Sequence, residues 1–168
     1  GLTLLPKLIP AGGRDAALAL RALNPSLPAA ATFLLGEIEY RAARYDSALV
    51  LFEDAVAEDS GFAMAAIRGA QAASWLDQPD RAMPLAQLAM ARDSALPPRL
   101  RLFAQGLVAY LRGDADRAAA AYRMGITREP DWAEGWAALG EVYEHLSPLA
   151  PLRDSVARDA FDRAWRLD

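Results

Sequence analysis

The sequence predicts an all-α chain: an α-solenoid of about nine helices built from helix-turn-helix repeats. Three observations predict it. Alanine supplies 38 of 168 residues, and it is the best helix former and the side chain that lets helices approach closely. Ala48, Ala82, Ala118 and Ala157 recur at intervals of 34, 36 and 39 residues. Each is followed by a second marker four residues on and a third three residues beyond, which places all three on one helix face. Gly36, Ala70, Gly106 and Gly140 form a second series at intervals of 34, 36 and 34, twelve residues ahead of the first series in three units and seventeen ahead in the last. A period of this length marks stacked two-helix units.

The elements follow in order. Residues 1–28 hold a leading helix from Arg14 to Leu23, stopped at Asn24-Pro25. Asp15-Ala16-Ala17-Leu18 echoes Asp46-Ser47-Ala48-Leu49, so this helix reads as the second half of a partial repeat. Four repeats occupy residues 29–62, 63–98, 99–132 and 133–168. In the first, Gly36 lies on helix A, and Tyr45-Asp46-Ser47-Ala48, Phe52 and Ala55 lie on helix B. In the second, Asp77-Gln78-Pro79 signals the turn, and Ala86 stands where the other units have a large residue. In the third, Gly113-Asp114 turns into a helix carrying Ala118, Tyr122 and Gly125; Pro130 ends it and Asp131 can cap the next. The fourth has five extra residues between its helices, in the stretch His145 to Arg153, whose prolines and leucines predict a stiff, partly buried insertion. Its helix B carries Ala157, Phe161 and Ala164.

Composition narrows the function. No cysteine is present, which removes disulfides, thiol catalysis and thiolate zinc sites. A single histidine, His145, removes HExxH and multi-histidine metal sites. The formal net charge is −4 and neither half of the chain is basic, so nothing offers the cationic face that nucleic acid or an anionic membrane requires. No apolar run approaches the length of a membrane span. No phosphate-cradling glycine motif occurs, and no serine sits in a nucleophile motif. Glu134, Glu141 and Glu144 share one helix, but a solvated acidic face accounts for them better than an acid–base pair. We expect no enzyme, cofactor or metal; the compartment stays unknown, with the cytoplasm preferred.

The markers resemble the tetratricopeptide repeat. Trp136, Leu139, Gly140 and Tyr143 match its W-x2-L-G-x2-Y pattern on helix A. Ala118, Tyr122, Gly125 and Pro130 match its A-x3-F-x2-A-x4-P pattern on helix B, and Leu35, Gly36, Ala48, Phe52 and Ala55 match in the first unit. The second unit departs most, keeping only the small positions Ala70, Ala82 and Ala89. The resemblance covers residues 29–168. It implies a right-handed array, a non-catalytic binding role, and a place within a larger bacterial regulatory protein.

The family's register implies a concave groove lined by the A helices. Its residues would include Phe33, Glu37, Tyr40, Ile67, Gln71, Trp75, Phe103, Leu107, Tyr110, Glu141 and Glu144. This groove would be apolar and aromatic in the middle and acidic toward its C-terminal end, suited to a peptide or helix of a partner protein. The alternative is a small molecule or lipid sensed in the same groove. The residues at the family's carboxylate-clamp positions, among them Phe33, Glu37, Ile67, Gln71, Phe103 and Leu107, are not cationic, which argues against capture of a C-terminal carboxylate. Phe161 and Trp165 on the last helix offer a surface for self-association.

Overall fold

The computed structural model describes residues 25–91, 96–146 and 150–167; the leading helix expected over Arg14 to Leu23 and residues 147–149 of the insertion lie outside them. All regular structure among the described residues is helical. The α-helices are α1 Leu27–Arg41, α2 Tyr45–Glu58, α3 Ala63–Trp75, α4 Pro79–Met90, α5 Pro98–Leu111, α6 Ala115–Arg128, α7 Ala133–Glu141 and α8 Ala150–Leu167. A π-helical turn, Val142–Leu146, follows α7 directly. None of these helices is long and apolar enough to cross a membrane. The chain divides between Pro97 and Pro98 into two compact units. Each holds four α-helices, and within each every helix packs on the next in sequence.

Local chemistry sets the helix ends. Ser26 caps α1, its Oγ accepting from the Ala29 N–H at 3.3 Å, and its own N–H is held by Asp59 Oδ2 at 3.0 Å. The turns α1–α2, α3–α4 and α5–α6 share one solution. A single residue adopts the left-handed conformation: Ala43 (φ 55°), Asp77 (φ 55°) and Gly113 (φ 74°). The next N–H reaches back five residues in each, from Arg44 to Glu39, Gln78 to Ala73 and Asp114 to Ala109. This is the Schellman closure, which satisfies carbonyls that a helix end leaves open. Gly113 adopts it without strain, whereas Ala43 carries a Cβ that this backbone region disfavours.

The small-residue series does what its spacing predicts. A Cβ at Gly36 would stand 2.6 Å from the Phe52 ring, one at Gly106 2.5 Å from Tyr122, and one at Gly140 2.7 Å from Phe161. Each absent side chain lets a large ring on helix B lie against the backbone of helix A, which fills the crossing at interior density. The second repeat uses the same device one residue earlier. Leu85, not Ala86, is its large residue: a Cβ at Gly69 would stand 3.0 Å from Leu85. The apparent loss of the large position in that repeat is therefore a shift in phase.

Aromatic residues link successive hairpins. Phe33 meets Phe52 and Phe62 at centroid distances of 5.5 and 5.0 Å, and Phe103 meets Tyr122 and Trp132 at 5.6 and 5.7 Å. Members of the second trio lie 70 positions after those of the first. Phe62 and Trp132 immediately precede α3 and α7 and lie in the core. Burial of rings of this size contributes roughly 1.5–3 kcal/mol each, so the trios are main sources of stability in their units. Phe161 is half-buried against Gly140, and Trp165 is 82 % exposed.

Candidate functional site

The helix-A face of the N-terminal unit gathers a compact polar and aromatic cluster. Tyr40 ends the buried stripe of α1, and Gln71 and Trp75 lie one turn apart on α3. The Trp75 indole N–H donates to the Tyr40 hydroxyl at 2.8 Å, and Trp75 stacks on Tyr45 at 6.0 Å and 22°. Tyr40 meets the edge of Tyr45 at 5.3 Å. Beneath these rings lies an ion pair: Arg68 Nε stands 2.8 Å from Glu37 Oε1, with both residues buried. Arg68 also donates to Gln71 Oε1 at 2.9 Å, and its guanidinium lies 5.6 Å from the Tyr40 ring centre. The guanidinium thus braces α1, α3 and the aromatic layer at once. Trp75 remains 48 % exposed, so the cluster presents a fixed indole to solvent.

The same positions in the C-terminal unit carry other chemistry. Tyr110 replaces Tyr40, Leu107 replaces Glu37, Ala138 replaces Arg68, Glu141 replaces Gln71 and His145 replaces Trp75. The buried ion pair is absent at these positions. His145 Nε2 lies 3.2 Å from Glu141 Oε2. Burial pushes the Glu141 carboxyl above the usual carboxylate range; His145 opposes that shift and Glu144 adds to it. Tyr110 is held above the ordinary phenol range, chiefly by burial and then by the charges of Glu141 and Glu144. Desolvation penalises the charged form, so these acids sit in a poorly hydrated recess.

The expected groove residues fall into two groups. Tyr40, Gln71, Trp75, Tyr110, Glu141 and Glu144 reach solvent. Phe33, Ile67, Phe103 and Leu107 do not: they are 0, 1, 3 and 5 % exposed. Their position in the repeat points into the layer between helices A and B, where they fill the core, and they offer a partner no surface. Glu37 is likewise buried, and its work is to hold Arg68. The expectation of a groove with an apolar floor is corrected accordingly: within each unit, polar and aromatic groups form the accessible part. Sequence reasoning missed Arg68, although a lone arginine in the apolar run Ala-Met-Ala-Ala-Ile-Arg-Gly-Ala was its signal. It used Tyr45 only as a repeat marker.

A second recess lies elsewhere in the C-terminal unit, among α6, α7, the π turn and α8. It is an open groove of about 650 Å³ whose lining includes Ile126, Trp136, Leu139, Tyr143 and Val156, with Arg123 and Arg163. The Trp136 indole N–H is fixed on the Pro130 carbonyl at 3.0 Å. Arg123 Nε donates to the Tyr143 hydroxyl at 2.9 Å and its guanidinium lies 5.5 Å from that ring centre.

No protein-family model matches the chain, and no curated protein matches it.

Proposed function

We propose that this chain is a non-catalytic binding module of tetratricopeptide type, with its hairpins stacked as a right-handed solenoid, that recognises a peptide or helix of a partner protein. The observation that carries the proposal is the Tyr40–Tyr45–Trp75 cluster, a half-exposed aromatic surface locked by a hydrogen bond and braced from below by Glu37–Arg68. A tryptophan held in one rotamer gives a large contact area at low entropic cost, the usual property of a binding hot spot. Gln71 adds an amide beside it for a peptide backbone. The helical-repeat markers support the family reading, and placement in a bacterial regulatory protein rests on that resemblance alone.

A photo-crosslinking amino acid at Gln71, with Val50 on α2 as the control position, tests the proposal in cell extract. Val50 is exposed and lies on a B helix. We expect a discrete protein adduct from position 71, absent from position 50 and lost when Trp75→Ala is added to the first variant. Equal adducts from both positions, or indifference to Trp75→Ala, would overturn it. An adduct of low molecular mass at position 71 would move the reading to a small-molecule or lipid sensor.

A further inference from the structure

We propose that the groove among α6, α7 and α8 is a second binding site, distinct from the helix-A cluster, for an acidic amphipathic peptide segment: one apolar side chain enters between Trp136 and Leu139, and a carboxylate is taken by Arg123. The N-terminal unit shows how the corresponding place is filled from within. There Leu85 seats on Gly69, and Arg81 on α4 clamps Glu53 on α2 with its Nε at 2.9 Å from Oε1. That clamp ties the second helix to the fourth beside the Leu85 contact.

In the C-terminal unit the apolar contact is kept and the charge clamp has changed. Phe161 on Gly140 keeps the apolar contact that Leu85 makes on Gly69, while repeat alignment sets Val156 where Arg81 stands and Arg123 where Glu53 stands. Beside them lies the open groove of about 650 Å³, with Ile126, Trp136, Leu139 and Val156 on its wall. The carboxylate of the clamp has become a guanidinium. Arg123 is engaged by Tyr143, a neutral phenol, and neither it nor Arg163 forms an ion pair with another described residue. Asp159 lies on the same wall, so the groove holds two cations against one anion. The groove is therefore suited to an apolar side chain against its wall and a carboxylate at Arg123. A peptide supplies both on adjacent turns of an amphipathic helix. The openness of the groove favours a segment laid across it over a small molecule, which needs most of its surface enclosed.

The test uses three fluorescein-labelled synthetic helical peptides and anisotropy on the full chain. The first has leucines at i, i+3, i+4 and i+7 flanked by glutamates; the second replaces glutamate by lysine; the third replaces leucine by serine. We expect the first to bind, and the other two at least tenfold more weakly. Arg123→Glu should lose the first peptide at least tenfold and gain the second, a reversal that misfolding cannot produce. Arg163→Glu is the second variant and should weaken the first peptide in the same sense. Trp75→Ala should leave this binding unchanged, which separates failure here from failure of the helix-A proposal. Absence of binding, equal binding of all three peptides, or indifference to Arg123→Glu would overturn the inference.

Discussion

The two units place the same helices in the same order, yet they differ at nearly every position that reaches beyond the core. Gly36–Phe52 and Gly106–Tyr122 are the same contact, as are Phe33–Phe62 and Phe103–Trp132. Glu37–Arg68 in one unit, however, corresponds to Leu107 and Ala138 in the other, and the indole of Trp75 corresponds to the imidazole of His145. The difference teaches that this fold needs a small residue under a large one at each crossing and is indifferent to what lines the rest of the helix-A face. Chemistry has diverged where packing does not decide.

The comparison can be broken most forcefully at the buried ion pair. Arg68→Ala leaves Glu37 buried without its main cation and should cost about 3–5 kcal/mol. Adding Glu37→Leu imports the arrangement of the C-terminal unit and should recover most of that loss. Urea unfolding of the single and double variants checks it; a double variant as unstable as the single would show that the two arrangements are not interchangeable. Next in size, Gly106→Ala places a methyl group against the Tyr122 ring and should cost about 2 kcal/mol by overpacking. Gly113→Ala meets open space but must hold φ 74°, and should cost about 1 kcal/mol. Thermal melts of the pair rank crossing against turn.

A third measurement sharpens the contrast between Gln71 and Glu141. Burial holds the Glu141 carboxyl above its ordinary range, so the folded unit keeps that proton at a pH where the unfolded chain has released it. Stability from this group is present at low pH and falls as pH rises from the ordinary glutamate value through the raised one. Glu141→Gln should remove that decline and raise the urea midpoint at neutral pH. An unchanged pH profile would show that Glu141 is well hydrated. The smallest effect is at Ala43. Because it holds the left-handed turn that Gly113 holds without strain, Ala43→Gly should stabilise the N-terminal unit by about 0.5–1 kcal/mol in differential scanning calorimetry.

The legible part of this protein was the part with a period. Intervals of 34 and 36 residues located the crossings at Gly36 and Gly106 and the hairpin turns at Asp77 and Gly113. The phase of the second repeat was not legible. Ala70 and Ala86 keep the expected spacing, and only the packed structure shows Leu85 on Gly69 doing the work. Of the site, the solvent-reaching aromatics Tyr40 and Trp75 were named through the register transferred from the family. Burial of Phe33, Ile67, Phe103 and Leu107 was misjudged, because a surface strip and a core strip lie only one helical step apart and a register transferred from a family resolves them poorly. The Arg123 groove left no sequence signal at all.

The sequence by itself determined the all-α class, the two-helix unit and the sites of closest helix approach, since those depend on propensity and spacing within a few tens of residues. Only the tertiary structure decided which side chains pair across helices: Glu37 with Arg68, Glu53 with Arg81, and neither pairing at the corresponding places in the C-terminal unit. The reason is geometric. A periodic pattern fixes the face on which a residue lies, but an ion pair or a groove depends on what stands opposite, and that partner lies some thirty residues away on another helix.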